Sequence, residues 1–300
     1  MPRFGSCCLA FLLALAGCSS TLLETRVTVP DLPLTDDDEA ALGLQIDREL
    51  KDRNVKRVRD ERVLDYTDDL FERITGRDRR DTTSPWHLHL IDDPNRIDSF
   101  STAGGHVYVH SGLLRAAQDE AEVVAAIAHE LGHAAAKHEL RYMVQTFGAA
   151  TMTRLARNDP AALADVAQRY VESGGRATHT AEEENAADAY AMKLASTAGY
   201  APRSIETFFE GLQRRQQDAA WLARHPVSGS RNANVNMVLS RDHLKGTARN
   251  PERLQAIKRI LEPGVPVSAA SSADARYELL KFFGVESVDD ELPDIERVMR

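Results

Sequence analysis

The chain has 300 residues, of which 43% are hydrophobic, and a formal net charge of −9 at pH 7. This length and apolar content suit one large domain or two small ones, with a sizeable core. The acidic balance argues against a general nucleic-acid binder, because such proteins carry a basic patch or stripe.

The first 17 residues have the pattern of a bacterial lipoprotein signal peptide. Arg3 supplies a positive start, and the apolar run over residues 9–16 is too short for a permanent membrane span. The run ends in Leu15-Ala16-Gly17-Cys18, which resembles a lipobox, so Cys18 is expected to carry lipid (palmitate) and to become the new N-terminus. An ordinary secretory signal cut nearby is the alternative. The residue after Cys18 is Ser19, whereas an Asp at this position would favour retention in the inner membrane. The resemblance therefore implies that the protein is located at the periplasmic face of the outer membrane.

Residues 18–36 are mostly polar and contain two prolines, which predicts a tether. From residue 37, apolar residues recur at helical spacing as far as Ile74, and acidic residues crowd the start, where the helix dipole favours them. This pattern includes Val58 and predicts one long helix or two. Past Cys18, no stretch of the sequence has the length and apolar content of a transmembrane helix.

Three short segments then alternate in polarity as strands do, over residues 85–92, 97–100 and 106–110. The last two are joined through Gly104-Gly105. Histidines at positions 87, 89, 106 and 110 could bind a metal. Each histidine lies on the more polar face of its strand, so these histidines are interpreted as structural.

From Asp119, apolar residues again recur at helical spacing. Asp119 and Glu122 form a helix start that resembles a capping box. Further helices are predicted over residues 160–172, 181–198, 202–217, 229–243, 250–261 and 272–283. Residues 263–300 are predicted to form a separate C-terminal helical extension. The predicted fold class is α+β and mostly helical, with a small antiparallel sheet packed beside the helix that begins near Asp119.

That helix carries a candidate metal site. His129 and His133 are four residues apart, so their imidazoles project from one face and can bind one metal ion. Glu130 lies one step round the helix, where it can accept a proton from water at the metal without being a ligand. The pattern H-E-x-x-H also arises by chance, so a third ligand is needed to make it specific.

A metzincin site would need a histidine at position 139 and a glycine at position 136, but the chain has Glu139 and Ala136. The third ligand is therefore expected to be a glutamate. The candidates are Glu139, Glu172, Glu182, Glu183 and Glu184. Glu184 is favoured because Asp188 follows one turn later on the same helix face and can orient a ligating histidine. The alternative for the acidic triplet is a helix start with favourable charge.

Several segments, in order, resemble the gluzincin zinc metallopeptidases that include the CAAX prenyl proteases, HtpX, BepA and LoiP. The matching segments are Ser99-Phe100, residues 104–109, residues 112–114, His129-Glu130-Leu131-Gly132-His133, Glu184-Asn185-Ala186-Ala187-Asp188, residues 198–202, and His225-Pro226 with Arg231. The resemblance covers roughly residues 40–260. The combination is far more specific than any one motif.

The resemblance implies a zincin-like metallopeptidase domain over residues 37–262. One Zn²⁺ per subunit would be bound by His129, His133 and Glu184. Glu130 would act as general base, and Asp188 would support a ligating histidine.

The resemblance also implies that His225 and Arg231 lie beside the zinc. His225 either stabilises the oxyanion of the tetrahedral intermediate or approaches the metal and holds the enzyme latent. Ser99 and Phe100 would form the strand that receives the substrate backbone. The family often has Asn before Ala-Phe at this strand, whereas this chain has Asp98-Ser99-Phe100, so the peptide preference stays open.

These features predict a lipid-anchored periplasmic zinc endopeptidase whose substrates are misfolded or misassembled envelope proteins. The alternative is a zinc-binding chaperone or assembly factor with little proteolytic turnover. Glu130 argues against that alternative, because a protein that only binds has no need of the base. His138 is interpreted as a structural or surface residue.

Overall fold

The computed structural model of the chain describes residues 34–76, 85–155, 157, 159–173, 179–214 and 220–262. The predicted signal peptide, the lipidation site Cys18, nearly all of the tether and the predicted extension over residues 263–300 lie outside these ranges. The predicted helix over residues 272–283 lies outside them as well.

Helices predominate in the described ranges. They are α1 Asp36–Asp52, α2 Glu61–Thr75, α3 Ser111–Ala116, α4 Glu120–Ala135, α5 His138–Phe147, α6 Ala149–Leu155, α7 Pro160–Glu172, α8 Ala181–Thr197, α9 Ser204–Arg214, α10 Ala220–Arg224, α11 Gly229–Asp242 and α12 Pro251–Ile260. The strands are β1 His87–Ile91, β2 Ser99–Thr102 and β3 His106–His110. The predicted fold class is confirmed.

The sheet has the order β1-β3-β2. β2 pairs antiparallel to β3 through a tight turn in which Gly104 and Gly105 have φ angles of 73° and 76°, a left-handed conformation that favours glycine. β1 pairs parallel to β3. The connection between β1 and β2 carries the chain across to the far side of β3. The sheet is therefore mixed, and the prediction of an antiparallel sheet was right only for the β2–β3 pair.

The first helical pattern forms two helices. Thr35 caps α1 and Asp60 caps α2, and each side chain accepts a hydrogen bond from a backbone N–H of the first turn. Val58, which the spacing placed in a helix, lies in the extended segment between them. Its N–H donates to the carbonyl of Leu90 at 3.1 Å, so this segment extends the edge of the sheet instead.

The centre of the fold is α4, which lies between the sheet and α8. Residues 120–134 of α4 are all buried. At Gly132 the two helices touch through their backbones, because a Cβ atom there would lie 2.9 Å from the Cα of Ala187. This close approach sets the position of α8 relative to the histidines of α4.

The N-terminus of α4 is anchored by the last described helix. Glu120 is fully buried, and its carboxylate accepts hydrogen bonds from Tyr200 at 2.6 Å and from Asn250 at 2.8 Å. Its backbone N–H donates to the carbonyl of Arg249 at 2.9 Å. Arg253 of α12 adds an ion pair with Glu120 at 3.3 Å. Asp119 caps the helix, as predicted, by accepting from the N–H of Glu122.

The predicted helices over 160–172, 181–198, 229–243 and 250–261 are confirmed to within one residue at each end as α7, α8, α11 and α12. For the prediction over 202–217, α9 begins at Ser204 and is described to Arg214. The helices α5 and α6 were not predicted. α5 begins without a side-chain cap, and Gly148, at a φ of 84°, separates it from α6. Within the described ranges, every helix is too short or too polar to cross a membrane.

Candidate metal centre

Four side chains converge at the C-terminal half of α4. His129 and His133 come from α4, Glu184 from the first turn of α8, and His225 from the residue after α10. One ligand atom from each lies within 4.8 Å of the other three. All four side chains are buried. The structure thus brings the three proposed zinc ligands together, with His225 among them.

The spacing of these atoms fits zinc. Tetrahedral zinc with bonds of about 2.0–2.1 Å to nitrogen places its ligand atoms about 3.3 Å apart. The Nε2 atoms of His129 and His133 are 3.0 Å apart, and the carboxylate oxygens of Glu184 lie 3.4 Å from His133 and 3.5 Å from His129. Two imidazoles and one carboxylate are also a usual donor set for catalytic zinc.

Two of the three proposed ligands, Glu184 and His133, have charge states that favour a cation. Burial alone would lower the pKa of His129, but Asp188 and Glu184 raise it. Burial alone would raise the pKa of Glu184, but His225, His129 and His133 outweigh it and hold this pKa far below its usual range. Burial, reinforced by the neighbouring His179, lowers the pKa of His133 well below its usual value. The glutamate is therefore ionised and the imidazole of His133 neutral, which are the forms that bind metal.

Behind these residues, Asp188 and Arg231 form a buried pair. The Nδ1 atom of His129 lies 2.9 Å from Oδ1 of Asp188, so the carboxylate can fix the ring and its tautomer. Arg231 is fully buried and donates two parallel hydrogen bonds of 2.7 Å to Asp188. Its Nη1 donates to the carbonyl of His225 at 3.1 Å and lies 3.2 Å from Oε2 of Glu184. Arg231 thus ties the His225 segment to the proposed ligand set.

His225 lies between the proposed ligands and Glu130. Its Nδ1 is 3.0 Å from Oε1 of Glu184 and 3.1 Å from Nε2 of His129, and its Nε2 is 3.3 Å from Oε1 of Glu130. Burial alone would lower the pKa of His225, but the two carboxylates raise it to about 10. The ring therefore occupies the space beside the ligands that a fourth group would take.

Glu130 is also in contact with the sheet. Its Oε1 accepts a hydrogen bond of 2.8 Å from Ser99 of β2. Burial would raise the pKa of Glu130, but His225 and the other neighbours lower it. Phe100 projects to the opposite face of the sheet, where its ring stacks on Tyr108 at 4.7 Å. The sequence placed Ser99 and Phe100 in a strand, but nothing in it showed that the Ser99 hydroxyl reaches Glu130.

Two further histidines touch the site. His138 is buried, and its Nδ1 lies 2.8 Å from Nδ1 of His133, which excludes the surface alternative for this residue. His179 stacks on His133 with 3.9 Å between ring centroids. His179 was not predicted to lie at the site, because it is 46 residues from His133 and belongs to no motif.

The other candidate glutamates lie elsewhere. Glu139 accepts a hydrogen bond of 2.8 Å from Tyr170. Glu172 is bonded to Arg53 at the surface, and Glu183 forms a capping box with Thr180 at the start of α8. These contacts give the three carboxylates roles apart from the proposed ligand set.

On the sheet, His89, His106 and Asp47 also form a group with suitable spacing for a metal. Asp47 is already paired with Lys51 at 2.6 Å and with Arg57 at 2.8 Å. Two cations on one carboxylate weaken its affinity for a further cation. The interpretation of the strand histidines as structural stays a prediction.

A buried H-E-x-x-H helix, a glutamate from the adjacent helix and a small sheet at its side together define a zincin-like metallopeptidase. In agreement, the family model of Peptidase family M48 matches residues 65–238, more than half of the chain. The chain belongs to this family.

Similar proteins include a putative beta-barrel assembly-enhancing protease of Vibrio cholerae, 28% identical over 68% of this chain and 44% of the relative. The beta-barrel assembly-enhancing protease of Escherichia coli K12 is 25% identical over 71% of this chain and 47% of the relative. The metalloprotease LoiP of the same organism is 26% identical over 50% of this chain and 61% of the relative. The chain thus spans about half the length of the first two relatives.

Proposed function

We propose that this protein is a zinc-dependent endopeptidase that hydrolyses peptide bonds in misfolded or misassembled proteins of the bacterial envelope. The observation that carries the proposal is the convergence of His129, His133 and Glu184 on one point, with Glu130 beside them. A site that only held a metal would have no use for this buried carboxylate. The names of the two beta-barrel assembly-enhancing relatives support the substrate class.

In this proposal His129, His133 and Glu184 hold Zn²⁺. Bound zinc supplies a Lewis acid that polarises the peptide carbonyl and lowers the pKa of a water molecule. Glu130 would accept a proton from the attacking water and deliver it to the departing amine. The hydrogen bond from Ser99 restricts the Glu130 carboxylate to one orientation. Asp188 holds the ring of His129 in the tautomer that presents Nε2 to the metal.

We further propose that His225 keeps the enzyme latent in the conformation described here. Its ring fills the space between Glu184 and Glu130, where water and the peptide carbonyl would have to lie. Activation then requires His225 to leave this space, and a direct role of His225 in stabilising the oxyanion is the alternative that the test below separates from latency. Arg231 is a positioning residue in this proposal, because it holds the backbone carbonyl of His225 and the carboxylate of Asp188.

The test compares zinc content and cleavage of casein for the wild type, Glu130→Gln and His225→Ala. We expect one zinc per chain in all three. Glu130→Gln should lose at least about a hundredfold in cleavage rate, since it removes the proton acceptor. His225→Ala should cleave faster than the wild type. Glu122→Gln is the matched control, because Glu122 is equally buried on α4 but bonds to Gln118 and Thr207.

Other outcomes separate the alternatives. Zinc bound by the wild type and both site variants, with cleavage by none of them, would favour the zinc-binding chaperone or assembly factor. A wild type that retains no zinc when purified without chelator would contradict the metal site itself. A His225→Ala variant slower than the wild type would contradict latency and support a direct role in the reaction.

We also propose that Cys18 anchors the protein by lipid to the periplasmic face of the outer membrane. The lipobox-like tetrapeptide and Ser19 support this location. Membrane fractions from cells expressing the wild type and Cys18→Ala provide the test. The wild type should sediment with outer-membrane vesicles, and the variant should not. Equal release of both proteins into the periplasmic fraction would contradict the anchor.

A further inference from the structure

A cavity of about 170 Å³ opens on the face of the sheet opposite α4. Its walls combine apolar side chains with two guanidinium groups, the imidazole of His110 and the ring of Tyr170. They include Phe100 of β2, Ile46 and Leu50 of α1, Val171 of α7, Arg96 and Arg224. Both arginines are bonded to the same buried carboxylate, Asp98, at 2.7 Å and 3.3 Å. We call this cavity the Phe100 pocket.

On two separate segments, a residue that lines the Phe100 pocket is the direct sequence neighbour of a residue at the metal centre. Phe100 follows Ser99, which bonds to Glu130. Arg224 precedes His225, which lies among the proposed ligands. Side chains alternate between the two faces of a strand, so an added substrate strand beside β2 would alternate as well. A residue next to the one facing the zinc would therefore point toward the pocket.

The size of the pocket matches an aromatic ring. An apolar cavity of about 150 Å³ is large enough to bind benzene. Phe100 also ends a row of stacked rings on this face of the sheet. Phe100 and Tyr108 are 4.7 Å apart, Tyr108 and His89 4.6 Å, and His89 and His106 5.1 Å between centroids. A further ring would extend this row.

A guanidinium group of the pocket also suits an aromatic ring. Arg224 is only 11% exposed, and its guanidinium lies 5.4 Å from the centroid of Phe100. A guanidinium over an aromatic face is a favourable contact. Asp98 is bonded to both guanidinium groups and therefore takes up part of their hydrogen-bonding capacity.

We propose that the Phe100 pocket binds an aromatic side chain of the polypeptide substrate and thereby sets the cleavage preference. The proposal rests on the peptidase function proposed above. Selection comes from burial of the ring against Leu50 and Val171 and from its contacts with Phe100 and Arg224. Discrimination of this kind between a large and a small apolar side chain is about tenfold or more in kcat/KM.

The test uses internally quenched peptides that differ only by Phe or Ala, with the variable residue moved along the sequence. At one position the wild type should cleave the Phe peptide with a kcat/KM about tenfold or more higher than the Ala peptide. Val171→Phe fills the pocket and should abolish this ratio by slowing the Phe peptide alone. Val144→Phe is the matched control, since Val144 is also half-buried in the same apolar cluster but does not line the pocket.

Binding is measured separately with the inactive full-length Glu130→Gln variant and fluorescently labelled versions of the two peptides. The Phe peptide should bind about tenfold more tightly. That preference without any cleavage by the wild type or by His225→Ala would retain the pocket and contradict the peptidase. Equal binding or equal cleavage of the two peptides would overturn the proposal, as would a Val171→Phe variant that slows both alike. Leu50→Phe replaces Val171→Phe if the latter fails to fold.

Discussion

The contact between α4 and α8 can be tested by adding one methyl group, with the substitution Gly132→Ala. The new Cβ would lie 2.9 Å from the Cα of Ala187 and 3.1 Å from the Cβ of Tyr190. Carbon atoms pack best at about 3.5–4.0 Å, so α8 must retreat by roughly 0.6 Å or more. Overpacking of this kind costs about 1–3 kcal/mol, whereas alanine in place of glycine returns about 1 kcal/mol of helix propensity. The free energy of unfolding should therefore fall by only about 0–2 kcal/mol.

The effect on metal binding should be larger than the effect on stability. Glu184 is three residues before Ala187 on α8 and lies 3.4 Å from His133. A binding site tolerates displacements of its residues of only about 0.5 Å. Disturbing the groups that orient metal ligands typically lowers metal affinity about 10–100-fold. We expect a loss of zinc affinity of this size, about 10–100-fold, in Gly132→Ala. Zinc affinity is measured by chelator competition, and stability by urea unfolding of the zinc-free protein, which separates folding from metal linkage.

Gly229→Ala is the control for this prediction. Gly229 is also a helical glycine, but a Cβ added there would have nothing within 4 Å. Zinc affinity should be unchanged, and stability equal or higher by up to about 1 kcal/mol. If Gly132→Ala binds zinc as tightly as the wild type, then α8 does not need this close approach to place Glu184, and the reasoning fails.

Three further predictions concern single side chains. Arg231→Met should lower the free energy of unfolding in urea by about 3–5 kcal/mol, because Asp188 is left buried without its partner. Ser99→Ala should lower kcat about tenfold at unchanged zinc content, because Glu130 loses a charge-assisted hydrogen bond. Burial lowers the pKa of His106 from 6.5 to about 4. Between these values the unfolded chain binds a proton that the folded chain does not, so stability falls as the pH falls through this window. His106→Gln should remove up to about 1.4 kcal/mol per pH unit of that slope in urea unfolding.

Each of these has a contradicting outcome. If Arg231→Met lowers the free energy of unfolding only slightly, and by as much as the double variant Arg231→Met/Asp188→Leu does, then Arg231 does not compensate the charge of Asp188. Unchanged kcat in Ser99→Ala, or a loss explained by lost zinc, would remove the role assigned to the hydroxyl. An identical pH slope for His106→Gln and the wild type would show that this imidazole titrates normally in the folded protein.

The proposed ligand residues could be identified from the sequence because they lie at short, regular spacings. The interval from His129 to His133 and that from Glu184 to Asp188 each span one helical turn, so the helix period alone places both members on one face. The structure brings these two faces together. The helix boundary near Asp119 was predictable for a similar reason, since a capping side chain bonds to its own first turn.

Contacts between distant segments were not predictable in this way. The hydrogen bond from Ser99 to Glu130, the stacking of His179 on His133 and the parallel pairing of β1 depend on tertiary packing. Val58 was wrongly predicted to lie in a helix for the same reason. Its spacing from the neighbouring apolar residues suits a helix, but in the fold its N–H donates a hydrogen bond to the carbonyl of Leu90 at the edge of the sheet. Periodicity describes which residues share a face and does not describe what that face meets.

The anchoring of α4 at Glu120 has a consequence for where the folding unit ends. The family match stops at residue 238, yet the groups that hold the buried carboxylate of Glu120 include Asn250 and Arg253. At the other end the match begins at residue 65, whereas the backbone of Gly43 on α1 packs directly against Ala103. A polypeptide trimmed to the matched region would retain every proposed zinc ligand and Tyr200, but it would lose the contacts of Asn250 and Arg253 with the buried start of α4.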